Sequence, residues 1–77
     1  MKAPTRRQLF ALRIIERHRE KHGWAPTVRE LCEALGVNSS NTGAGYIRAL
    51  TAKGLLVRGE GARALALTDA GRKAVAA

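Results

Sequence analysis

The sequence is poor in thiols, aromatic rings, acids and long apolar runs, and each shortage removes a class of function. A single cysteine, Cys32, cannot close an internal disulfide or build a thiolate metal site, which fits a reducing compartment. Three aromatics, Phe10, Trp24 and Tyr46, are too few for a surface that binds single strands by stacking successive bases. No apolar run reaches the length of a signal-peptide core or a spanning helix, so neither export nor membrane insertion is expected. A chain of 77 residues buries only about 60% of its unfolded surface, enough for one modest core and too little for a multi-domain enzyme. Ser-His-Asp groupings, carboxylate pairs and phosphate-binding glycine loops are missing, so the expectation is a non-enzyme without a cofactor. With no repeat, low-complexity tract or linker, residues 1–77 read as a single domain.

Basic residues are what the chain does have. Lys and Arg number 14 against 6 acids, a formal net charge of +8. Residues 1–22 carry +5, residues 23–47 carry −1 and residues 48–77 carry +4. A neutral centre flanked by positive ends suits a duplex, with Lys and Arg on phosphates and a central helix in the groove. A solvated basic face is the plainer explanation, but a charge this large in a domain this small favours a polyanion. The first helix is also basic and amphipathic enough to lie on an anionic membrane. Its wide apolar stripe, however, is what a small core needs from its longest helix.

Local signals divide the chain. Thr5 and Gln8 have capping-box spacing and open a helix over Thr5 to His22, with Leu9, Ala11, Leu12 and Ile15 at helical intervals and Phe10 and Ile14 widening the stripe. Gly23 stops it, and Trp24, Ala25 and Pro26 turn the chain. Thr27 and Glu30 repeat the box and start a second helix, whose Val28, Leu31, Cys32 and Leu35 share a buried face up to Gly36. Ser39, Ser40 and Asn41 are cap candidates for a third helix carrying Tyr46, Ile47 and Leu50 and ending at Gly54. Leu55 to Arg58 then reads as a strand and Gly59 to Ala62 as a turn, after which Leu65 and Leu67 alternate with alanines in a second strand. Thr68 and Asp69 cap a last helix through Ala77, weakened by Gly71 and expected to fray.

From Thr5 to about Leu67 this pattern resembles the N-terminal DNA-binding domain of the LexA-type SOS repressors. The residues concerned are Thr5-Arg6-Arg7-Gln8, Gly23, Pro26-Thr27, Glu30-Leu31, Leu35-Gly36, Ser39, Asn41, Ala49-Leu50 and Lys53-Gly54. The resemblance implies a mainly α winged helix-turn-helix with a small β-hairpin, a bacterial regulator that binds operator DNA with its third helix in the major groove. A cytoplasmic, nucleoid-associated location goes with that role. Full repressors of this type add a linker with a self-cleavage site and a Ser-Lys peptidase domain that dimerises them. Either this chain is a fragment, or it is a small regulator that forms a homodimer weakly or only on DNA.

The resemblance places base reading at Ser39, Asn41, Thr42, Ala44 and Gly45. Periodicity agrees in part: with Gly43, Ile47 and Leu50 inward, Asn41, Ala44, Gly45 and Arg48 share the outer face. Asn41 suits an adenine edge, which its carboxamide matches as donor and acceptor together, and equally suits a cap. Positions 44 and 45 are acidic in well-known members, so Ala44 and Gly45 leave the operator unspecified. Ala44 can touch a thymine methyl and Gly45 can admit close backbone approach. Phosphate candidates are Arg6, Arg7, Arg29, Arg48, Lys53 and Arg63, with the backbone N–H groups at Thr27. Arg63 reaches a phosphate or the minor groove, or is a solvated turn residue. His18 and His22 have the spacing to pinch a metal but lack a third ligand, and are read as surface or helix-end histidines. Cys32 is read as a small buried residue that lets helices approach, Trp24 as a lid on the core, and Tyr46 as packed beside the third helix. Since winged helices also serve as protein docking modules, that remains the rival class.

Overall fold

The two capping boxes hold. In a computed structural model describing residues 3–61 and 63–76, the first helix, α1, spans Arg6–His22 and the second, α2, spans Val28–Leu35. Thr5 and Thr27 each accept a hydrogen bond from the backbone N–H three residues on, while the side chains of Gln8 and Glu30 accept from the two cap N–H groups. This satisfies donors that a helix start otherwise leaves open. Gly23 and Gly36 close the two helices in the left-handed region, at φ 82° and 73°. A side chain is strained there, and glycine is not.

Helix α3, Ser40–Ala52, follows α2 after a short turn, and the hairpin of β1, Leu56–Arg58, and β2, Leu65–Leu67, forms the wing. The strands are antiparallel, with Leu56 opposite Leu67 and Arg58 opposite Leu65. Helix α4, Asp69–Ala76, returns to α1. The architecture is a winged helix-turn-helix with an additional C-terminal helix. Ala62, in the expected turn, and Ala77, at the expected end of the last helix, lie outside the described residues, as do Met1 and Lys2.

Leu12, Ile15, Leu31, Ile47, Leu50 and Leu56 are fully buried, and Leu65 and Leu67 of β2 are nearly so, which means that each element except α4 contributes a large apolar side chain to one core. Removing such surfaces from water stabilises the fold by about 1.5–3 kcal/mol per side chain. Two expectations about that core are corrected. Phe10 does not extend the buried stripe of α1 and is 51% exposed; Trp24 does not lid the core and is 52% exposed. The Trp24 ring stacks on His22, with centroids 5.9 Å apart, and stands beside the Arg63 guanidinium. Gly71 is not a weak point but a contact: a Cβ there would overlap the Leu55 carbonyl oxygen and sit 3.3 Å from Leu67 Cβ. The missing side chain lets α4 close onto the wing base, where Thr68 donates its hydroxyl to Gly54 O at 2.6 Å and accepts from Gly71 N–H.

Candidate nucleic-acid interface

The outward face of α3 is set by how α3 sits on α2. Gly43 is buried in that crossing, where a Cβ would fall inside the van der Waals envelope of Cys32 Sγ and 3.5 Å from Val28 Cγ1. Cys32 is therefore part of the seat, with its thiol 3.5 Å from Ser39 O. Seating Gly43 inward turns the opposite side of the helix start toward solvent. Asn41, Thr42 and Arg48 are exposed there, and Ala44 and Gly45 are half-buried.

Ser39 is the N-cap, and its hydroxyl accepts from Asn41 N–H at 3.2 Å. The capping role weighed for the Asn41 side chain thus falls to Ser39, leaving the Asn41 carboxamide at the exposed first turn. At Gly45 a Cβ would meet only Arg48 Nη2, at 3.9 Å. Arg48 accordingly folds back along α3 and brings a guanidinium to the same face.

The basic side chains around α3 are held to different degrees. Arg6 is exposed at the start of α1. Arg7 Nε donates to the Tyr46 hydroxyl at 2.8 Å, tying the first turn of α1 to α3. Lys53, the C-cap of α3, reaches the Gln8 side chain and donates to Ala3 O at 3.3 Å, so the far end of α3 joins the same helix start. Arg29 makes only a loose pair with Glu33 at 3.6 Å, both strongly exposed, which is worth little.

Thr27 and Arg63 are more committed. The Thr27 N–H is given to Glu30 Oε1 at 2.9 Å, and Arg63 Nη1 donates to the same Glu30 oxygen at 2.8 Å and to Ala25 O at 3.1 Å. The hydrogen bond from Thr27, then the one from Arg63, lower the Glu30 pKa from 4.5 to about 2. Helix α2 therefore begins with an ionised carboxylate already paired to the wing.

Sequence reasoning missed Tyr46, Gln8 and Glu30 as holders of Arg7, Lys53 and Arg63. The pairs lie 33 to 45 positions apart, so no local spacing marks them. His18 Nδ1 lies 2.8 Å from Trp24 O, and the His18 and His22 ring centres are 4.4 Å apart. Among the described residues no three His, Cys, Asp or Glu side chains converge on a point that would hold a metal ion, and no helix is long and apolar enough to cross a membrane.

Comparison with known proteins decides the family. Residues 1–64 match the family described as the LexA DNA binding domain. The chain belongs to that family. Among its relatives is the LexA repressor of Anaeromyxobacter dehalogenans, 43% identical over 76 residues, covering 97% of this chain and 33% of the relative. The LexA repressor of Limosilactobacillus fermentum is 41% identical over 68 residues, covering 87% of this chain and 33% of the relative. That of Anaeromyxobacter sp. strain Fw109-5 is 47% identical over 58 residues, or 75% and 25% respectively. The chain thus spans about a third of the length of the curated relatives it matches. The matched residues take in the three helices and β1, and β2 and α4 follow them in the chain.

Proposed function

We propose that residues 1–77 act as one winged helix-turn-helix domain that binds double-stranded DNA sequence-specifically, as the operator-binding part of a transcriptional repressor. The observation that carries this reading is the open first turn of α3, with Asn41 and Thr42 exposed and the Arg48 guanidinium beside Gly45, on a helix whose other face is locked by Gly43. A helix so mounted presents its N-terminal residues to base edges in a major groove. Ser39, Asn41, Thr42, Ala44 and Gly45 read bases: Asn41 through its amide, Ala44 through a thymine methyl, Gly45 by allowing the backbone close.

Arg6, Arg7, Arg29, Arg48 and Lys53 hold phosphates. Arg7 is aimed by Tyr46, and the backbone N–H groups that follow Thr27 add donors at the start of α2. The contribution of this chain is binding, not catalysis. A net charge of +8 repels a second copy in free solution, so pairing of two domains belongs on DNA, where phosphates neutralise it. A chromosomal partner places the protein in the nucleoid of a bacterial cytoplasm.

The test is a fluorescence-anisotropy titration against a random pool of labelled duplexes at several salt concentrations, with sequencing of the bound fraction. The expected result is affinity that falls steeply with salt, together with a recovered motif. Salt-sensitive binding without a motif would reduce the domain to a non-specific binder. No binding at low salt would sink the proposal and leave a protein docking module.

A further inference from the structure

Arg63 follows the exposed tip of the wing, where Glu60 and Gly61 are open to solvent, yet its guanidinium is turned back toward the body of the domain. Its three neighbours, the Ala25 carbonyl at 3.1 Å, the Glu30 carboxylate at 2.8 Å and the Trp24 ring 5.9 Å from its central carbon, all belong to the segment that enters α2. That segment is anchored: Ala25 and Pro26 are buried, and Glu30 is held at both ends of its capping box with Thr27. The acceptors are therefore fixed, and what they hold is the tip of the wing.

The base of the wing is pinned by the buried Leu56, Leu65 and Leu67 and by Arg19 Nη1, which donates to Leu65 O at 3.4 Å, whereas its tip stands clear of the core. The strands are three residues each, and among the described residues the turn beyond β1 and β2 is closed by one backbone bond, Gly59 N–H to Ala64 O at 3.0 Å. A two-stranded hairpin of this size is marginal by itself. A guanidinium whose Nη1 is shared between a preset carboxylate and a carbonyl removes freedom from the tip before any ligand arrives. An Arg63 that swung out to a phosphate would leave the Glu30 carboxylate unpaired in the neighbourhood of a polyanion. It would exchange one anionic partner for another and place like charges together.

We propose that Arg63 and Glu30 form a latch fixing the wing against the start of α2, so that Arg63 is a positioning residue for DNA binding and not a phosphate ligand. The inference rests on the DNA-binding reading above. It makes a loss of acidic charge harmful to the binding of an acidic ligand. If Arg63 instead serves phosphate directly, removing the Glu30 charge frees it and tightens binding.

The experiment compares wild type, Arg63→Ala, Glu30→Gln, the double variant and Glu33→Gln by anisotropy on one selected duplex, over a salt series around 150 mM. Glu30→Gln preserves the capping box, since Gln8 fills that place in α1, and Glu33→Gln makes the same charge change on α2 outside the latch. The latch predicts that Arg63→Ala and Glu30→Gln each weaken binding about 2–5-fold, with the double variant no worse than about the poorer single one. It further predicts a wild-type salt slope for Arg63→Ala and unchanged or tighter binding for Glu33→Gln. Glu30→Gln binding as tightly as Glu33→Gln, or a slope reduced by about 0.9 in Arg63→Ala, would overturn it. Wild type failing to bind at low salt would fail the DNA-binding reading itself, an outcome distinct from either.

Discussion

Gly43 and Gly45 stand two positions apart on α3, and alanine at each should change stability in opposite directions. Both replacements relieve the same conformational cost, about 1 kcal/mol for glycine in a helix interior relative to alanine. At Gly45 the new methyl meets only Arg48 Nη2 at 3.9 Å, an ordinary contact, so the gain is kept. For a domain of this size about 1 kcal/mol corresponds to a melting temperature higher by about 4–8 °C. At Gly43 the methyl collides with Cys32 Sγ, and overpacking of a filled crossing costs typically about 1–3 kcal/mol. The net effect runs from near zero to a loss of about 2 kcal/mol.

Because the propensity gain is common to both, the difference between the variants isolates the packing cost. Urea and thermal unfolding followed by circular dichroism measure it. Cys32→Ala removes the obstructing sulfur, so Cys32→Ala with Gly43→Ala should be more stable than the sum of the single effects by about 1 kcal/mol or more. Variants at 43 and 45 agreeing within about 0.5 kcal/mol, or no coupling to Cys32, would refute the seating of α3 on α2. The same Gly45→Ala protein has a second use on DNA. Unchanged or tighter binding would show that flexibility at 45 is unnecessary, whereas weaker binding with a raised melting temperature would show that bare backbone is needed there.

Three further outcomes are expected. Gly71→Ala drives a Cβ into the Leu55 carbonyl, a backbone atom with little room to retreat, and after the same helix-propensity gain should destabilise by about 2 kcal/mol in a urea titration, the upper end of the range expected for Gly43→Ala. Glu30 carries a depressed pKa, so its contribution is present above pH 4.5 and is lost as pH falls toward about 2. Urea midpoints across that window should fall more steeply for wild type than for Glu30→Gln. Arg48→Ala should leave the fold intact and lower the salt slope of DNA binding by about 1, measured by anisotropy; an unchanged slope would remove Arg48 from the phosphate contacts.

What the sequence made legible was local. Thr5 with Gln8 and Thr27 with Glu30 announce two helix starts because donor, acceptor and spacing sit within four residues. The inward turn of Gly43 followed from its place in the Ile47 and Leu50 repeat, and the hairpin from alternation about Leu65 and Leu67. Periodicity cannot say how much of a wide stripe on α1 its neighbours will cover, so Phe10 lies half outside; Trp24 sits in the turn after Gly23, where no period applies, and is half outside as well. Gly71 read as a helix weakness because its reason, the Leu55 carbonyl, is supplied by another element. At the interface the outward residues of α3 were legible from helical spacing. The holders of Arg7, Lys53 and Arg63 depend on elements that meet only after folding.

The two capping boxes share a further property. The third residue of each, Gln8 in α1 and Glu30 in α2, also receives a long basic side chain from the later half of the chain, Lys53 and Arg63 respectively. The boxes close over four residues, whereas the stitches span 45 and 33 positions. Short-range structure of this kind forms early in folding, and side-chain ties across long loops form after the main barrier. Lys53 and Arg63 should therefore govern how slowly the domain comes apart. Truncating either is expected to raise the unfolding rate extrapolated to water in a chevron and leave the refolding rate nearly untouched, so the domain's lifetime and its speed of assembly are set by different residues meeting at the same two caps.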